Sequence, residues 1–240
     1  MCQLIGISSN KKVNIQFSLL EFKNRSKDNP HGWGFSFKEN DNWTTYKKPD
    51  ALYYENIEEK KFNHRSNLII GHIRRKSCGK QIHENTHPFI CDNWVFAHNG
   101  TVREIINRPE FAVKKSKTSG QTDSEYAFHY LLEKINNKPK IIAEILIREA
   151  HKIKEFGKFN FLLSDGNYLF SYGDDSLYFV QRKAPFSFAT LRDVGYSFDL
   201  NDIKSPEEKV IIVATEPLTL EEHWEKIIGL RIFKDGVQVK

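Results

Sequence analysis

The chain has 240 residues, of which 36 are lysine or arginine and 31 are aspartate or glutamate, giving a formal net charge of +5. Hydrophobic residues make up 39% and aromatic residues 13% of the chain, which excludes an intrinsically disordered protein. With 13 glycines and 8 prolines, collagen and low-complexity repeats are also excluded. No apolar stretch approaches the ~20 residues that a membrane-spanning helix needs.

The first half of the chain is predicted to consist mainly of short strands. Residues 2–8 alternate in polarity and include β-branched side chains, which predicts a strand near the start of the chain. The apolar run from Ile15 to Phe22 predicts a short helix. Further strands are predicted over residues 33–38, 68–74 and 93–98. The last of these is followed by Asn99-Gly100, a pair suited to a turn.

Two helices are predicted in the middle of the chain. Thr122 and Glu125 have the spacing of a capping box, which predicts a helix from there to about Ile135. Pro139 is suited to the first turn of a second helix, whose apolar positions repeat at helical spacing up to Ile153. Later strands are predicted over residues 159–163, 167–172, 177–181, 209–214 and 230–233, with turns at 164–166 and 235–236.

The order of elements, strands followed by two helices and then by more strands, predicts the fold class. It favours an α+β fold with two mainly antiparallel sheets, because a doubly wound sheet would need strands and helices that alternate. No shift in composition indicates a linker, so we expect a single domain over residues 1–240.

Charge and cysteine content indicate the compartment and the type of partner. Basic clusters are short and are interrupted by acidic residues, which is typical of a solvated surface, so we expect no nucleic acid and no membrane as partner. The N-terminal apolar run is too short for a signal peptide and lacks its basic start. Cys2, Cys78 and Cys91 cannot all pair within one chain, which favours reduced thiols and a cytoplasmic location.

Cys2 is the first candidate for chemistry. If Met1 is removed, Cys2 carries both a thiol and a free α-amino group, whose pKa of roughly 7.7–8.0 allows it to act as a base near neutrality. A thiolate supplied by such a base is an effective nucleophile. Considered alone, Cys2 is more simply a small residue at the end of a strand.

Three further positions could form a site with Cys2. The side-chain amide of Asn99 and the backbone N–H of Gly100 could donate to one oxygen, as in an oxyanion hole. The guanidinium of Arg74 can bind a carboxylate through two parallel hydrogen bonds, and Asp123 can bind an ammonium group. Each has a simpler interpretation: a turn, a surface ion pair, and an acidic residue favoured at a helix N-terminus.

Eight motifs occur in order along nearly the whole chain. They are MCQLIG (1–6), GWG (32–34), GHIR (71–74), ENTHPF (84–89), AHNG (97–100), TDSE (122–125), RKAPF (182–186) and ATEPLT (214–219). In this combination the sequence resembles the class II glutamine amidotransferases, a family of N-terminal nucleophile hydrolases, and more narrowly their stand-alone YafJ-type members.

The resemblance implies a four-layer αββα sandwich, in agreement with the α+β order of elements. It implies that Cys2 is the nucleophile in a mature chain of residues 2–240, with its own amine as general base. It also implies that Asn99 and the N–H of Gly100 form the oxyanion hole. We expect no cofactor and no metal site.

The resemblance also implies how substrate is bound. Arg74 and Asp123 match the ligands of the glutamine carboxylate and amino group, and Ser77 matches a small hydroxyl residue that lines the loop at the glutamine site. Two positions near the site depart from the family pattern. His31 stands where an acidic residue is usual, and Arg75-Lys76 is more basic than expected.

These expectations describe a glutamine amidotransferase or amidohydrolase that forms a γ-glutamyl thioester and releases ammonia. Since the whole chain is needed for the sandwich, the acceptor of ammonia is either a separate synthase subunit or water. With water as acceptor, the substrate can be another γ-glutamyl amide or peptide. The alternative from a different class is a non-catalytic module that senses glutamine or binds a partner, which a retained Met1 would favour.

Overall fold

A computed structural model describes residues 1–137 and 141–239. Pro139, the predicted start of the second central helix, lies outside these residues. The helices are α1 (Gln16–Arg25), α2 (Asp123–Asn137), α3 (Ile142–Lys154) and α4 (Leu200–Ile203). The strands are β1 (Gln3–Val13), β2 (Trp33–Glu39), β3 (Asn42–Lys48), β4 (Ser66–Ile73), β5 (Phe89–Cys91), β6 (Trp94–Thr101), β7 (Lys158–Ser164), β8 (Leu169–Gly173), β9 (Tyr178–Arg182), β10 (Phe188–Thr190), β11 (Ser197–Asp199), β12 (Val210–Ala214), β13 (Glu225–Lys226), β14 (Gly229–Lys234) and β15 (Val237–Gln238).

Most of the strands form two large antiparallel sheets. The first sheet has the order β13-β9-β12-β1-β4-β2-β3, and the second has the order β15-β14-β8-β7-β6-β5. Strands β10 and β11 form a separate hairpin. Strand β1 is therefore central in the first sheet, between β4 and β12.

The two sheets pack face to face, with helices on both outer faces. Along β1, Leu4 belongs to the core between the sheets and Ile5 to the core beneath α1, as the two-residue period of a strand requires. Helices α2 and α3 cover the outer face of the second sheet with apolar residues such as Phe128 and Leu146. This is the four-layer αββα arrangement, and it confirms the α+β fold class.

The N-terminus of α2 forms largely as its sequence predicts. The hydroxyl of Thr122 accepts a hydrogen bond from the N–H of Glu125 at 3.2 Å, which is the expected cap. The carboxylate of Glu125 does not complete a capping box on Thr122 but accepts hydrogen bonds from the N–H groups of Ser119 and Gly120. The loop before α2 is thereby fixed against the helix, which places Asp123 in the first turn.

One predicted boundary is wrong in a way that matters for function. We expected a strand to end at His98 and Asn99-Gly100 to form a turn. Instead β6 continues to Thr101, and Asn99 and Gly100 pair with Asn160 and Phe159 of β7. A Cβ at Gly100 would overlap the carbonyl oxygen of Lys158, so the sheet approaches too closely there for any residue but glycine.

None of the helices in the described part of the chain is long and apolar enough to cross a membrane.

Candidate active site

Cys2 immediately precedes β1, so the central position of this strand fixes the cysteine at the edge of the sandwich. Its sulfur lies 3.1 Å from the backbone nitrogen of Arg75 and 3.3 Å from the carbonyl oxygen of Arg75. Burial raises the pKa of the Cys2 thiol, while the Arg75 N–H, the N-terminal ammonium and the Arg74 guanidinium oppose that shift. The thiol therefore needs a base to become a thiolate.

Asn99 and Gly100 belong to strand β6 of the second sheet, and both line the same cavity as Cys2. The side-chain nitrogen of Asn99 donates to the hydroxyl of Thr215 at 3.4 Å, which leaves its other N–H for a ligand. The backbone carbonyl oxygen of Asn99 accepts a hydrogen bond from the side chain of Asn160 at 3.2 Å. These two contacts fix the side chain and the backbone of Asn99, a residue that is only 2% exposed. The pair thus lies in a rigid strand and not in a turn.

Arg74 follows the end of β4 and is buried. Its guanidinium donates to the carbonyl oxygens of Cys78 at 2.8 Å and of Lys80 at 3.1 Å. These contacts exclude the simpler interpretation of Arg74 as a surface ion pair. They also fold residues 75–80 over the end of the strand, and the guanidinium retains further N–H groups.

Asp123 is also buried, in the first turn of α2. One carboxylate oxygen accepts from the backbone N–H of Val102 at 2.6 Å. The other accepts from the N–H of Ser124 at 3.1 Å and from the thiol of Cys78 at 3.2 Å. Since a thiol is a weak donor, a substrate ammonium group can replace Cys78 at this oxygen.

Two adjoining cavities bring all six predicted site residues together. The smaller, of about 20 Å³, is lined by Cys2, Arg74, Ser77, Gly100 and Asp123, among others. The larger, of about 360 Å³, shares Cys2, Arg75, Ser77 and Gly100 with it. Its other lining residues are Met1, Lys76, Asn99, Thr101, Lys158 and Asn160.

Three buried histidines lie beneath the smaller cavity. The ring centroids of His72 and His87 lie 4.1 Å apart with the planes tilted by 33°, and none of their ring nitrogens has a hydrogen-bond partner. His98 contacts the Ser124 hydroxyl at 2.8 Å and the Lys158 carbonyl at 3.1 Å, so its Nε2 carries the proton. Burial lowers the pKa of all three, that of His72 to about 3.

The three rings are therefore neutral near pH 7. In residues 1–137 and 141–239, no three histidine, cysteine, aspartate or glutamate side chains are arranged to hold a metal ion.

Some residues of the site were not among the predicted ones. Thr215 supports Asn99 and also accepts from the backbone N–H of Leu4 at 2.8 Å. It lies in the ATEPLT segment, so the motif could have indicated it. Asn160 and Lys158 are brought beside Asn99 and Gly100 only by the pairing of β6 with β7, for which the sequence carries no local signal.

Comparison with known proteins gives the family. The family described as "Glutamine amidotransferases class-II" matches residues 1–240. An uncharacterized protein of Methanocaldococcus jannaschii is 38% identical over 257 aligned residues, which cover 100% of this chain and 71% of that protein. YafJ of Escherichia coli (strain K12) is 34% identical over 244 residues, which cover 95% of this chain and 94% of YafJ.

A solved structure agrees with this match. The crystal structure of a predicted glutamine amidotransferase from Pseudomonas aeruginosa PA01 superposes with a TM-score of 0.72 at 26% identity, and 100% of both chains is covered. Its fold is that of the αββα sandwich described above. With a family match over its whole length and relatives above 30% identity, the chain belongs to the class II glutamine amidotransferases.

Proposed function

We propose that this protein hydrolyses the side-chain amide of glutamine through Cys2, within one catalytic domain of residues 1–240. The observation that carries the proposal is the convergence of a half-buried thiol, two oxyanion donors, a guanidinium and a carboxylate on two adjoining cavities. In a class II glutamine amidotransferase this set is sufficient for amide hydrolysis and needs no cofactor.

Substrate binding would use the groups that line the smaller cavity, while most of the glutamine side chain lies in the larger cavity, because about 20 Å³ holds little more than one water-sized molecule. The guanidinium of Arg74 binds the α-carboxylate of glutamine, and Asp123 binds the α-ammonium group in place of the Cys78 thiol. Ser77, whose hydroxyl accepts from Thr101 at 3.2 Å, lines both cavities and contacts the substrate between them. The side-chain amide of glutamine is then directed to Cys2.

Activation of the thiol requires removal of Met1. The Met1 side chain is 49% exposed, and its sulfur lies 3.6 Å from the hydroxyl of Ser176, which is a weak contact. Removal of Met1 converts the amide nitrogen of Cys2 into an amine that can accept the thiol proton. The proposal also requires the thiol to stay reduced, as it does in the cytoplasm.

The chemistry then has two steps. The Cys2 thiolate attacks the γ-carbonyl carbon, and the resulting oxyanion accepts hydrogen bonds from the Asn99 amide and the Gly100 N–H. The carbon–nitrogen bond breaks, the amine of Cys2 returns its proton to the leaving group, and ammonia departs. Water attacks the γ-glutamyl thioester through a second oxyanion and releases glutamate. A separate synthase subunit would receive the ammonia if the protein acts as a transferase.

The test combines the mass of the protein with its activity. We expect the intact mass to correspond to a chain that begins at Cys2, and the protein to release ammonia from glutamine. Cys2→Ala should lower kcat by on the order of 10⁴-fold or more, because the covalent route is lost.

Cys91→Ala is the matched control, since Cys91 is a free thiol in β5 and lines neither cavity. It should keep the wild-type rate. An active Cys2→Ala variant, or an active protein that retains Met1, would refute the mechanism. A chain that begins at Cys2, binds glutamine and releases no ammonia would favour the non-catalytic module.

A further inference from the structure

The larger cavity beside Cys2 is far bigger than the leaving group of glutamine requires. Its volume is about 360 Å³, whereas a water-sized molecule such as ammonia needs only about 10–15 Å³ on the same measure. A cavity of this size accommodates an amine with many non-hydrogen atoms. The glutamine side chain and the departing ammonia fill only part of this space.

The position of the cavity relates it to one part of the substrate. Arg74 and Asp123 line the smaller cavity, so in the proposed mode of binding the α-carboxylate and α-ammonium groups of a γ-glutamyl substrate contact its wall. Cys2 lies at the junction of the two cavities, where the amide carbon must be. Any substituent on the amide nitrogen would therefore extend from Cys2 into the larger cavity.

Positive charge dominates the wall of the larger cavity. Arg75, Lys76 and Lys158 line it, and no aspartate or glutamate among the described residues does. Lys158 forms an ion pair with Asp175 at 2.5 Å. Within residues 1–137 and 141–239, neither the Arg75 nor the Lys76 side chain has an acidic partner, so both are free to bind an anion.

The positive charge at this cavity also affects the pKa of the neighbouring His31. Burial lowers the pKa of His31, and the charges of Lys76, Arg74 and Arg75 lower it further. His31 accepts a hydrogen bond from the backbone N–H of Lys76 at 3.2 Å. It therefore stands as a neutral ring beside the cations and does not supply the negative charge that an acidic residue would place there.

The neutral side chain of Asn160, which also lines the larger cavity, is less able than the cations to bind a ligand, because its hydrogen-bonding groups are already paired. The side-chain oxygen of Asn160 accepts from the N–H groups of Asp174, Asp175 and Ser176 at 2.8, 3.1 and 3.2 Å. Its side-chain nitrogen donates to the Asn99 carbonyl and to the Asp175 carboxylate. Since all the hydrogen-bonding groups of the Asn160 side chain are already paired, Asn160 adds little to ligand recognition beside the cations.

We infer that the preferred substrate is a γ-glutamyl amide whose amine portion carries a carboxylate, that is, a γ-glutamyl amino acid or peptide. This inference rests on the proposed function of Cys2 and extends it to the leaving group. The thiolate attacks the γ-carbonyl carbon, the bond to the amide nitrogen breaks, and that nitrogen takes the proton from the Cys2 amine. Water then hydrolyses the thioester, so that glutamate and a free amino acid or peptide are the products.

The inference can be tested with γ-glutamylglycine and γ-glutamylglycinamide. These two substrates differ only in the charge of the terminal group, which is a carboxylate in the first and a neutral amide in the second. We expect kcat/KM for the carboxylate probe to exceed that for the amide probe by about 10-fold or more, an effect within the range of electrostatic focusing. The double variant Arg75→Glu/Lys76→Glu should bring the ratio to one or below, and Lys76→Gln should lower it partly. High salt should also lower the ratio, because it screens exposed charges.

The matched control is Lys60→Glu, which makes the same charge change at an exposed lysine outside both cavities. It should keep the wild-type ratio. A wild-type ratio near one, or a ratio that the double variant leaves unchanged, would overturn the inference.

A binding measurement separates this inference from the proposed chemistry. Dissociation constants for both probes are measured with the full-length Cys2→Ala variant by calorimetry. Tighter binding of the carboxylate probe without turnover of any amide by the wild type would support charge recognition and refute the hydrolytic mechanism. Equal dissociation constants, together with release of ammonia from glutamine, would overturn the inference and leave the mechanism intact.

Discussion

The thiol of Cys2 lies where burial and nearby positive charge act in opposite directions on its pKa. Burial is the larger effect, so the resting thiol is protonated. The contact with both backbone groups of Arg75 holds the sulfur at a fixed position. In the proposed mechanism, the backbone therefore orients the thiol, and deprotonation is left to the amine that removal of Met1 would expose.

The Asn99 amide offers the sharpest test at the scale of single residues. Its side chain is supported by Thr215 and its backbone by Asn160, so we expect it to stabilise the oxyanion more than the bound substrate. Asn99→Ala should lower kcat for glutamine by about 10²–10³ with a smaller change in KM. Steady-state kinetics would check this. A raised KM at normal kcat would instead make Asn99 a contact of the ground state.

Five of the six predicted site residues could be selected from the sequence because each carries a recognisable chemical type at a motif position, and Ser77 was selected from its place in the loop that follows the GHIR motif. Their surroundings could not. The sequence does not show that the Arg74 guanidinium binds carbonyl oxygens of its own loop, or that Cys78 donates to Asp123. These contacts depend on how residues 75–80 fold back, which is a tertiary property. Asn160 became part of the site for the same reason, through strand register.

A buried arginine of helix α1 adds polar contacts to the apolar packing of Leu19 and Phe22. Arg25 donates to the carboxylates of Glu21 at 3.1 Å and Asp193 at 3.0 Å. It also donates to the carbonyl oxygens of Pro217 at 2.8 Å and Glu216 at 3.3 Å. The side chain thus links α1 to two distant loops, one of which follows the strand β12 that pairs with β1.

We expect Arg25→Ala to lower the free energy of unfolding by about 3–5 kcal/mol, because it leaves the fully buried Glu21 carboxylate without its cation. Urea denaturation would measure the change. Lys11→Ala is the control, since Lys11 pairs with Glu207 at the surface and should contribute no more than about 1 kcal/mol. Equal effects of the two variants would contradict the role given to Arg25.

The predicted elements agree with the structure where apolar periodicity is clear. Strands β4, β7 and β12 and helices α1 and α2 all begin or end within a few residues of the predicted limits. Strand β3 (Asn42–Lys48) was missed because its residues are mostly polar and half-exposed, and only its pairing with β2 makes it a strand. The true end of β6 was missed because Asn99-Gly100 has the local preference of a turn, which β7 overrides.

At the scale of the whole molecule, neutral histidines in the interior make stability depend on pH. His72 is fully buried, and burial with the nearby charge of Arg74 lowers its pKa from 6.5 to about 3. In the unfolded chain the same group takes up a proton below pH 6.5. Between about pH 3 and 6.5 the unfolded state therefore binds more protons, and stability is lost as the pH falls.

His72→Phe should reduce this acid sensitivity. An aromatic ring of similar shape can replace an imidazole whose two nitrogens have no partner. In the wild type, His72 alone should account for a loss of about 2 kcal/mol between pH 7 and pH 5. Urea denaturation at both pH values would measure the difference. An unchanged loss in the variant would show that other groups cause the acid sensitivity.

The central position of β1 has a consequence for the order in which the protein assembles during synthesis. Ile5 pairs with Gly71 on one side and with Ala214 on the other, so β1 acquires its second neighbour only after most of the chain has left the ribosome. At usual rates of translation this takes on the order of 10–40 s. During that interval the segment around Cys2 cannot yet be enclosed by the finished sandwich. Met1 would therefore be accessible to an aminopeptidase that acts on the nascent chain. Its removal would free the amine of Cys2 before the two cavities around Cys2 have formed.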